Sequence, residues 1–326
     1  MMLSRMAEAL YWMARYLERA DNAARLLEIN LLHLVETEET SGIETQWKPY
    51  LDISGSEALF HQLYGNAAIA KESVVSFLTQ EKSNPNSMLN ILQGARENAR
   101  VVRDCITKEM WESMNHLWLW ASDRLKTPLS PDRAPSFCRT LRHETAGFDG
   151  LTASTMMQGE AYSFYRMGLF MERGDMTTRI LDVKYYILLP DVSKVGSALD
   201  YYQWMALLKS LSGFEAFRRL HPAGLRPADV AEFVILCPEF PRSLRFCIER
   251  IGNALSHVNN IPPVSATQQA CQKLKDALDR HTAESIFQQG LHEYLAEMLK
   301  LLAQLNKALQ AQYFEAHLGE RLAILD

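Results

Sequence analysis

Chain-breaking residues are scarce in this sequence. Among 326 residues there are 15 glycines and 12 prolines, about 8% of the chain against an average near 12%. The shortage disfavours a sheet protein with many tight turns and excludes collagen-like and low-complexity classes. Long apolar runs are missing too, and no window approaches the ~18 consecutive apolar residues of a membrane-spanning helix. The stretch from Met1 to Met13 carries Arg5 and Glu8 inside a helical pattern, which argues against a signal peptide. There are no Lys/Arg blocks and the net charge is -5, so neither nucleic acid nor an anionic membrane surface is an expected partner. The five cysteines (Cys105, Cys138, Cys237, Cys247, Cys271) form no Cys-x-x-Cys pair. An odd, scattered set fits structural thiols in a reducing, cytoplasmic compartment. The nine histidines make no His-Glu-x-x-His or His-x-His set, and phosphate-cradling glycine loops and Gly-x-Ser-x-Gly are absent. No cofactor and no metal are expected.

What is present is core material and helical periodicity. Hydrophobic residues make up 48% and charged residues 22%, as in an ordinary globular protein. Residues 3–35 keep apolar positions three or four apart, from Leu3 through Leu10, Leu17, Ala24 and Leu31. Similar patterns over about 57–81, 86–122, 158–189, 200–220, 227–236, 242–258, 265–280 and 283–316 predict an all-α fold. The clearest break is 123–150, where Pro128, Pro131 and Pro135 precede Gly147 and Gly150.

The halves on either side of that break look alike. Glu18-Arg19, Asp21 and Arg25 match Glu172-Arg173, Asp175 and Arg179 at a constant offset of 154 residues. Trp47 with Leu51 and Ser54-Gly55 answers Trp204 with Leu208 and Ser212-Gly213. Pro85-x-Ser87-Met88 answers Pro241-x-Ser243-Leu244. Three matches in the same order point to internal duplication. The expected organisation is an N-terminal helical repeat over 1–125, a Pro-rich linker over 126–150, a C-terminal repeat over 151–316 and a tail over 317–326. An approximate two-fold relation between the repeats follows from that reading, with one compact domain overall as the alternative to two separate ones.

On a helical wheel of about 100° per residue, Tyr11, Glu18, Asp21, Asn22 and Arg25 share one stripe. It flanks the apolar stripe of Leu10, Met13, Leu17, Ala20, Ala24 and Leu27 instead of opposing it. Between the two lies Ala14, matched by Gly168 in the second half, and small residues there would let another backbone come close. Two readings stand side by side. In one, the carboxylates and rigid guanidinium forks form an ion network joining equivalent helices. In the other, the helix crossing is a ligand site. Four carboxylates (Glu18, Asp21, Glu172, Asp175) could attract a cation, but no His supplies the Glu-x-x-His pattern of carboxylate di-metal bundles. An anion held by Arg19, Arg25, Arg173 and Arg179 fits better. A further anion site could form at Arg242, Ser243 and Arg245, although a plain helix start with solvated arginines is the simpler reading. A third Glu-Arg pair, Glu249-Arg250, follows it. The run Thr152 to Thr155 reads as a cap before the 158–189 helix, His143 as a candidate base near the linker, and Trp111, Trp118 and Trp120 as core.

The segment Leu3 to Asp21, with its Tyr11-Trp-Met-Ala-Arg-Tyr-Leu-Glu18-Arg19-Ala-Asp21 run, resembles the alpha-E domain family, all-helical proteins with a Glu-Arg motif. The likeness continues at Ala95-Arg96-Glu97-Asn98-Ala99-Arg100 with Arg103, Trp111 and Asn115, then at Met171-Glu172-Arg173-Gly174-Asp175 and Phe240-Pro241-Arg242-Ser243. It covers roughly residues 1–316 and departs at Gly174, where alanine is the expected residue. The resemblance implies a setting: circularly permuted ATP-grasp proteins as partners, with transglutaminase-like proteases nearby, in a peptide- or amide-ligation pathway. It assigns no reaction to the domain itself. The chain is expected to be a non-catalytic accessory in that pathway, and an oligomer is compatible with this expectation. The alternative is an enzyme or receptor binding a carboxylate, amine or phosphate between the halves.

Overall fold

The computed structural model describes residues 2–37, 43–65, 70–188, 198–258 and 265–315. Among these residues it is all-helical. Fifteen α-helices run in order: α1 (Ser4–Thr37), α2 (Ile43–Ile53), α3 (Glu57–Tyr64), α4 (Lys71–Thr79), α5 (Met88–Val101), α6 (Lys108–Arg124), α7 (Ala134–Thr155), α8 (Glu160–Leu188), α9 (Ala198–Ser210), α10 (Phe214–Leu220), α11 (Pro227–Leu236), α12 (Leu244–Ser256), α13 (Ala266–Asp279), α14 (Ala283–Gln289) and α15 (Leu291–Leu309). A π-helical turn over Gln310–Phe314 ends the series. The expected tail over 317–326 lies outside the described residues.

The two longest helices, α1 and α8, pack against each other at the centre. Helices α5 and α7 cover α1, and α12 and α15 cover α8. The apolar stripe read from the sequence is the packed one: Leu10, Met13, Leu17, Ala20, Ala24 and Leu27 are all buried. Close approach of the central pair depends on Gly168. A Cβ there would overlap the Tyr11 carbonyl oxygen of α1, and Ala14 on the facing stripe is fully buried. Two of the covering helices, α5 and α12, start on side-chain caps that satisfy free backbone donors. Ser87 accepts from the Asn90 N–H ahead of α5, and Ser243 accepts from the Phe246 N–H ahead of α12.

Three expectations need correction. The break expected over 123–150 ends at residue 133, and α7 fills the rest with 22 helical residues. Pro135 lies in its first turn, where a missing N–H costs nothing, and Gly147 and Gly150 have open space around them. The hydroxyl run is not a cap for α8 but the last turn of α7. There Thr152, Ser154 and Thr155 donate back to the carbonyls of Phe148, Gly150 and Leu151. The stretches 57–81, 86–122, 200–220 and 283–316 are each divided, as at Thr107, which caps α6. Helix α2 was not expected as an element.

Gly174 has ordinary surroundings. An added Cβ would meet Cys247 Cβ at 3.4 Å and Leu244 Cδ1 at 3.5 Å, which is normal contact. Gly174→Ala is therefore expected to stabilise the protein by about 0.5–1 kcal/mol, the helix-interior cost of glycine. A urea unfolding midpoint that falls instead would show that α8 and α12 need the smaller residue.

Candidate functional site

The Glu-Arg motifs face each other where α1 crosses α8, and each clasps the other. Arg19 donates from Nε to Glu172 Oε1 at 2.6 Å and from Nη2 to Oε2 at 3.0 Å. Arg173 returns the arrangement, with Nε to Glu18 Oε1 at 3.0 Å and Nη2 to Oε2 at 2.8 Å. Both pairs are forked, the strongest geometry a guanidinium and a carboxylate can adopt. Glu18 and Glu172 are buried. The two pairs tie α1 to α8.

Each carboxylate also takes a second guanidinium that the motif did not announce. Arg15 Nε donates to Glu172 Oε2 at 2.7 Å. Its Nη1 reaches Asn306 Oδ1 on α15, which also accepts from the Tyr11 hydroxyl at 2.7 Å. On the other side Arg242 donates to Glu18 Oε1 at 2.8 Å, to Asn22 Oδ1 at 2.9 Å and to Asp21 Oδ2 at 2.6 Å. Burial pushes the Glu18 carboxyl up, but Arg173 and Arg242 overcome it and hold the group at about 2. Glu172 is likewise lowered, burial opposing and Arg15 and Arg19 prevailing.

The matched Asp-Arg pairs differ in surroundings. Asp21 is buried and receives both Arg25 Nη2 at 2.8 Å and Arg242. Arg25 also donates to the Ser212 hydroxyl. Burial, together with the neighbouring Arg242, pushes the Arg25 guanidinium down to about 10. Among the described residues Asp175 is hydrogen-bonded by Arg179 alone, from Nε at 2.7 Å and Nη2 at 3.3 Å, and the side chains of Arg179 and Asp175 stay 42% and 22% exposed. They open into a cleft of about 400 Å³. Its polar lining includes Arg15, Arg19, Ser54, Asn86, Glu172, Asp175, Arg179 and Asn306, and its apolar wall includes Leu27, Ile53, Ile91, Met171, Met176 and Leu302. A smaller recess of about 160 Å³ borders Glu18, Asp21, Arg25, Arg173 and Arg242.

The sequence profile of the Alpha-E family, described as a predicted alpha-helical domain with a conserved ER motif, matches residues 2–314. The chain belongs to the Alpha-E family. Similar chains include an uncharacterized protein of Mycobacterium bovis and one of Mycobacterium tuberculosis strain CDC 1551, each 24% identical over 321 residues. A third, from M. tuberculosis strain H37Rv, is 23% identical. The alignments cover 94% of this chain and 36% of each relative, so the chain spans about a third of their length. No solved structure matches the chain.

Elsewhere in this Alpha-E protein the candidate residues are dispersed. Arg242, Ser243 and Arg245 are not gathered on one ligand. Arg242 is buried on α1, where it was expected to be solvated. Ser243 caps α12 and donates to the Cys237 carbonyl. Arg245 pairs with Asp279 on α13 at 2.6 Å. Arg250 lies over Phe246 at the solvent surface, apart from the clasp. His143 is exposed on α7. Trp120 stacks on Phe137, and Trp111 takes the Arg96 and Arg103 guanidiniums, while Arg96 Nε donates to Asn115 at 2.9 Å. Burial pushes the thiols of Cys105, Cys138, Cys247 and Cys271 up, Cys247 to about 12. Among the described residues no three His, Cys, Asp or Glu side chains converge as metal ligands, and no helix is long and apolar enough to cross a membrane.

Arg15, Asn86 and Asn306 were not among the expected site residues. Arg15 falls on the same wheel stripe as Glu18, so helical phase alone could have found it. Asn306 lies on α15, far along the chain, and no local pattern marks it.

Proposed function

We propose that this chain is a non-catalytic accessory module of an ATP-dependent peptide- or amide-ligation pathway that docks on a circularly permuted ATP-grasp protein. The observation that carries this reading is the reciprocal clasp. Glu18, Arg19, Glu172 and Arg173 spend their hydrogen-bonding capacity inside the protein, on one another and on Arg15 and Arg242, as members of a structural lock do and as free acids, bases or anion receptors do not. The setting that the family resemblance implies supplies the pathway. The mycobacterial relatives, in which the matched region is about a third of a longer polypeptide, are consistent with a module that works beside other domains.

The same reading takes the two halves as products of duplication, related by an approximate two-fold axis through the clasp. Support comes from the exchanged Glu-Arg pairs and from the matched caps Ser87 and Ser243, whose helices α5 and α12 pack on α1 and α8 respectively. Superposing residues 3–122 on 157–276 of an experimental structure checks it, since failure of the two motif helices to coincide would remove the duplication.

The functional test is co-expression with the cognate ATP-grasp protein, scored by co-purification and by ATP turnover of the separated chains. Association is expected, with turnover confined to the ATP-grasp protein. Turnover by the isolated chain that is lost in Arg173→Ala would overturn the reading in favour of catalysis.

A further inference from the structure

The chain shows on one side of the clasp what is missing on the other. At the Asp21–Arg25 pair, Arg242 supplies a second guanidinium to the carboxylate, and Ser212 supplies an acceptor to Arg25. The matched pair is Asp175–Arg179. The residue matched to Arg242 is Asn86, whose Oδ1 reaches only Arg19, at 3.4 Å. The residue matched to Ser212 is Ser54, whose hydroxyl turns back to the Leu51 carbonyl. Among the described residues, then, Asp175 lacks the second cation that Asp21 has, and Arg179 Nη1 lacks the acceptor that Arg25 has. Both border the 400 Å³ cleft.

We propose that this cleft binds a small zwitterion with an apolar side chain, an α-amino acid or the amino end of a short peptide. Its ammonium takes the place over Asp175 that Arg242 fills over Asp21, and its carboxylate or carbonyl oxygen accepts from Arg179. The proposal rests on the matching of the two halves in the reading above.

Charge selects the zwitterion over simpler ligands. Glu172 is already held by two guanidiniums, Arg15 and Arg19, whereas among the described residues Asp175 is held by Arg179 only, so Asp175 is the lining carboxylate with room for a second cation. A plain cation would meet three guanidiniums in the lining, and a plain anion would meet Asp175 beside its partner. A head group with both charges satisfies both. The apolar wall, with Leu27, Met171 and Leu302, gives the side chain its place. The volume falls in the ~300–1,000 Å³ range of small-molecule pockets, which suits one or two residues and not a folded partner.

Calorimetric titration of the isolated full-length chain with leucine, Leu-Leu, leucinamide and N-acetylleucine tests the inference. Leucine, Leu-Leu or both are expected to saturate. N-acetylleucine, lacking the ammonium, is expected to bind about ten- to a hundredfold more weakly, the loss of one charge-assisted hydrogen bond. Retained binding of Leu-Leu assigns the site to a peptide's amino end, and its loss with leucine retained assigns it to the free amino acid; leucinamide, a cation without the carboxylate, is expected to bind at least about tenfold more weakly than leucine. Asp175→Asn, which keeps the shape, and Asn86→Arg, which supplies the guanidinium internally, are each expected to weaken binding at least about tenfold. Circular dichroism confirms their fold, and Asp175→Asn decides alone if Asn86→Arg fails to fold. Equal binding of N-acetylleucine, unchanged affinity in Asp175→Asn, or no saturable heat from any probe would overturn the proposal. None of these outcomes involves the ATP-grasp partner, so the docking reading stands or falls separately.

Discussion

Glu18→Ala is expected to destabilise the protein by about 3–5 kcal/mol. Removing this carboxylate leaves the largely enclosed Arg173 without its anion and strips the buried Arg242 of one of its two, and breaking a buried pair from one side costs about that much. The contrast is Glu112→Ala on α6, where the pair with Lys108 is exposed at both ends and about 0–1 kcal/mol is expected. Urea denaturation followed by circular dichroism measures both. Acid should act in the same direction. Glu18 is held at about 2, below its ordinary value of 4.5. Its contribution is therefore complete above about pH 4.5 and is lost as the pH falls toward 2. Wild type is expected to lose stability over that window, and Glu18→Ala to lose less of it. Equal acid slopes in the two proteins would mean that Glu18 ionises normally.

Gly168→Ala is expected to cost about 3 kcal/mol, the upper end of overpacking penalties. The new methyl would meet the Tyr11 carbonyl, which is backbone of the facing central helix and cannot swing aside as a side-chain tip can. The helices would have to part at the point where the clasp requires them close. Gly147→Ala, on α7 with open space around the site, is the control and should be neutral or slightly stabilising. If Gly168→Ala unfolds at the same urea concentration as wild type, the close crossing of α1 and α8 is wrong.

Local periodicity carried most of the helical content. Helices α1, α8, α11, α12 and α13 lie where apolar spacing placed them, within about two residues. The failures have local causes. Three prolines within eight residues suggest a long break, but the third opens a helix instead of interrupting one, and α7 runs on from it. Trp47 and Leu51, noted only as part of a repeat, are an i, i+4 pair on α2. Longer patterns hid short connections such as the one that Thr107 closes.

The site was half legible for a similar reason. Glu18, Arg19, Glu172 and Arg173 stood out because one phase on one helix, repeated 154 residues later, is visible without a structure. Their second partners were not visible. Arg242 reaches Glu18 from 224 residues away and Asn306 reaches Arg15 from 291, and only the packing of α12 and α15 onto α8 brings them in. Nor could spacing show that Asp175–Arg179 stays open while Asp21–Arg25 closes, since that depends on asparagine at 86 against arginine at 242 seen in three dimensions.

The central claim is that the two halves are held together by the exchanged Glu-Arg pairs, and a double-mutant cycle on Glu18 and Arg173 tests it most directly. Glu18→Ala, Arg173→Ala and the double variant would each be unfolded in urea at neutral pH. The expected result is a coupling energy of about 1–3 kcal/mol, with the double variant less destabilised than the sum of the singles, as for residues in direct contact. Additivity within about 0.5 kcal/mol would contradict the clasp.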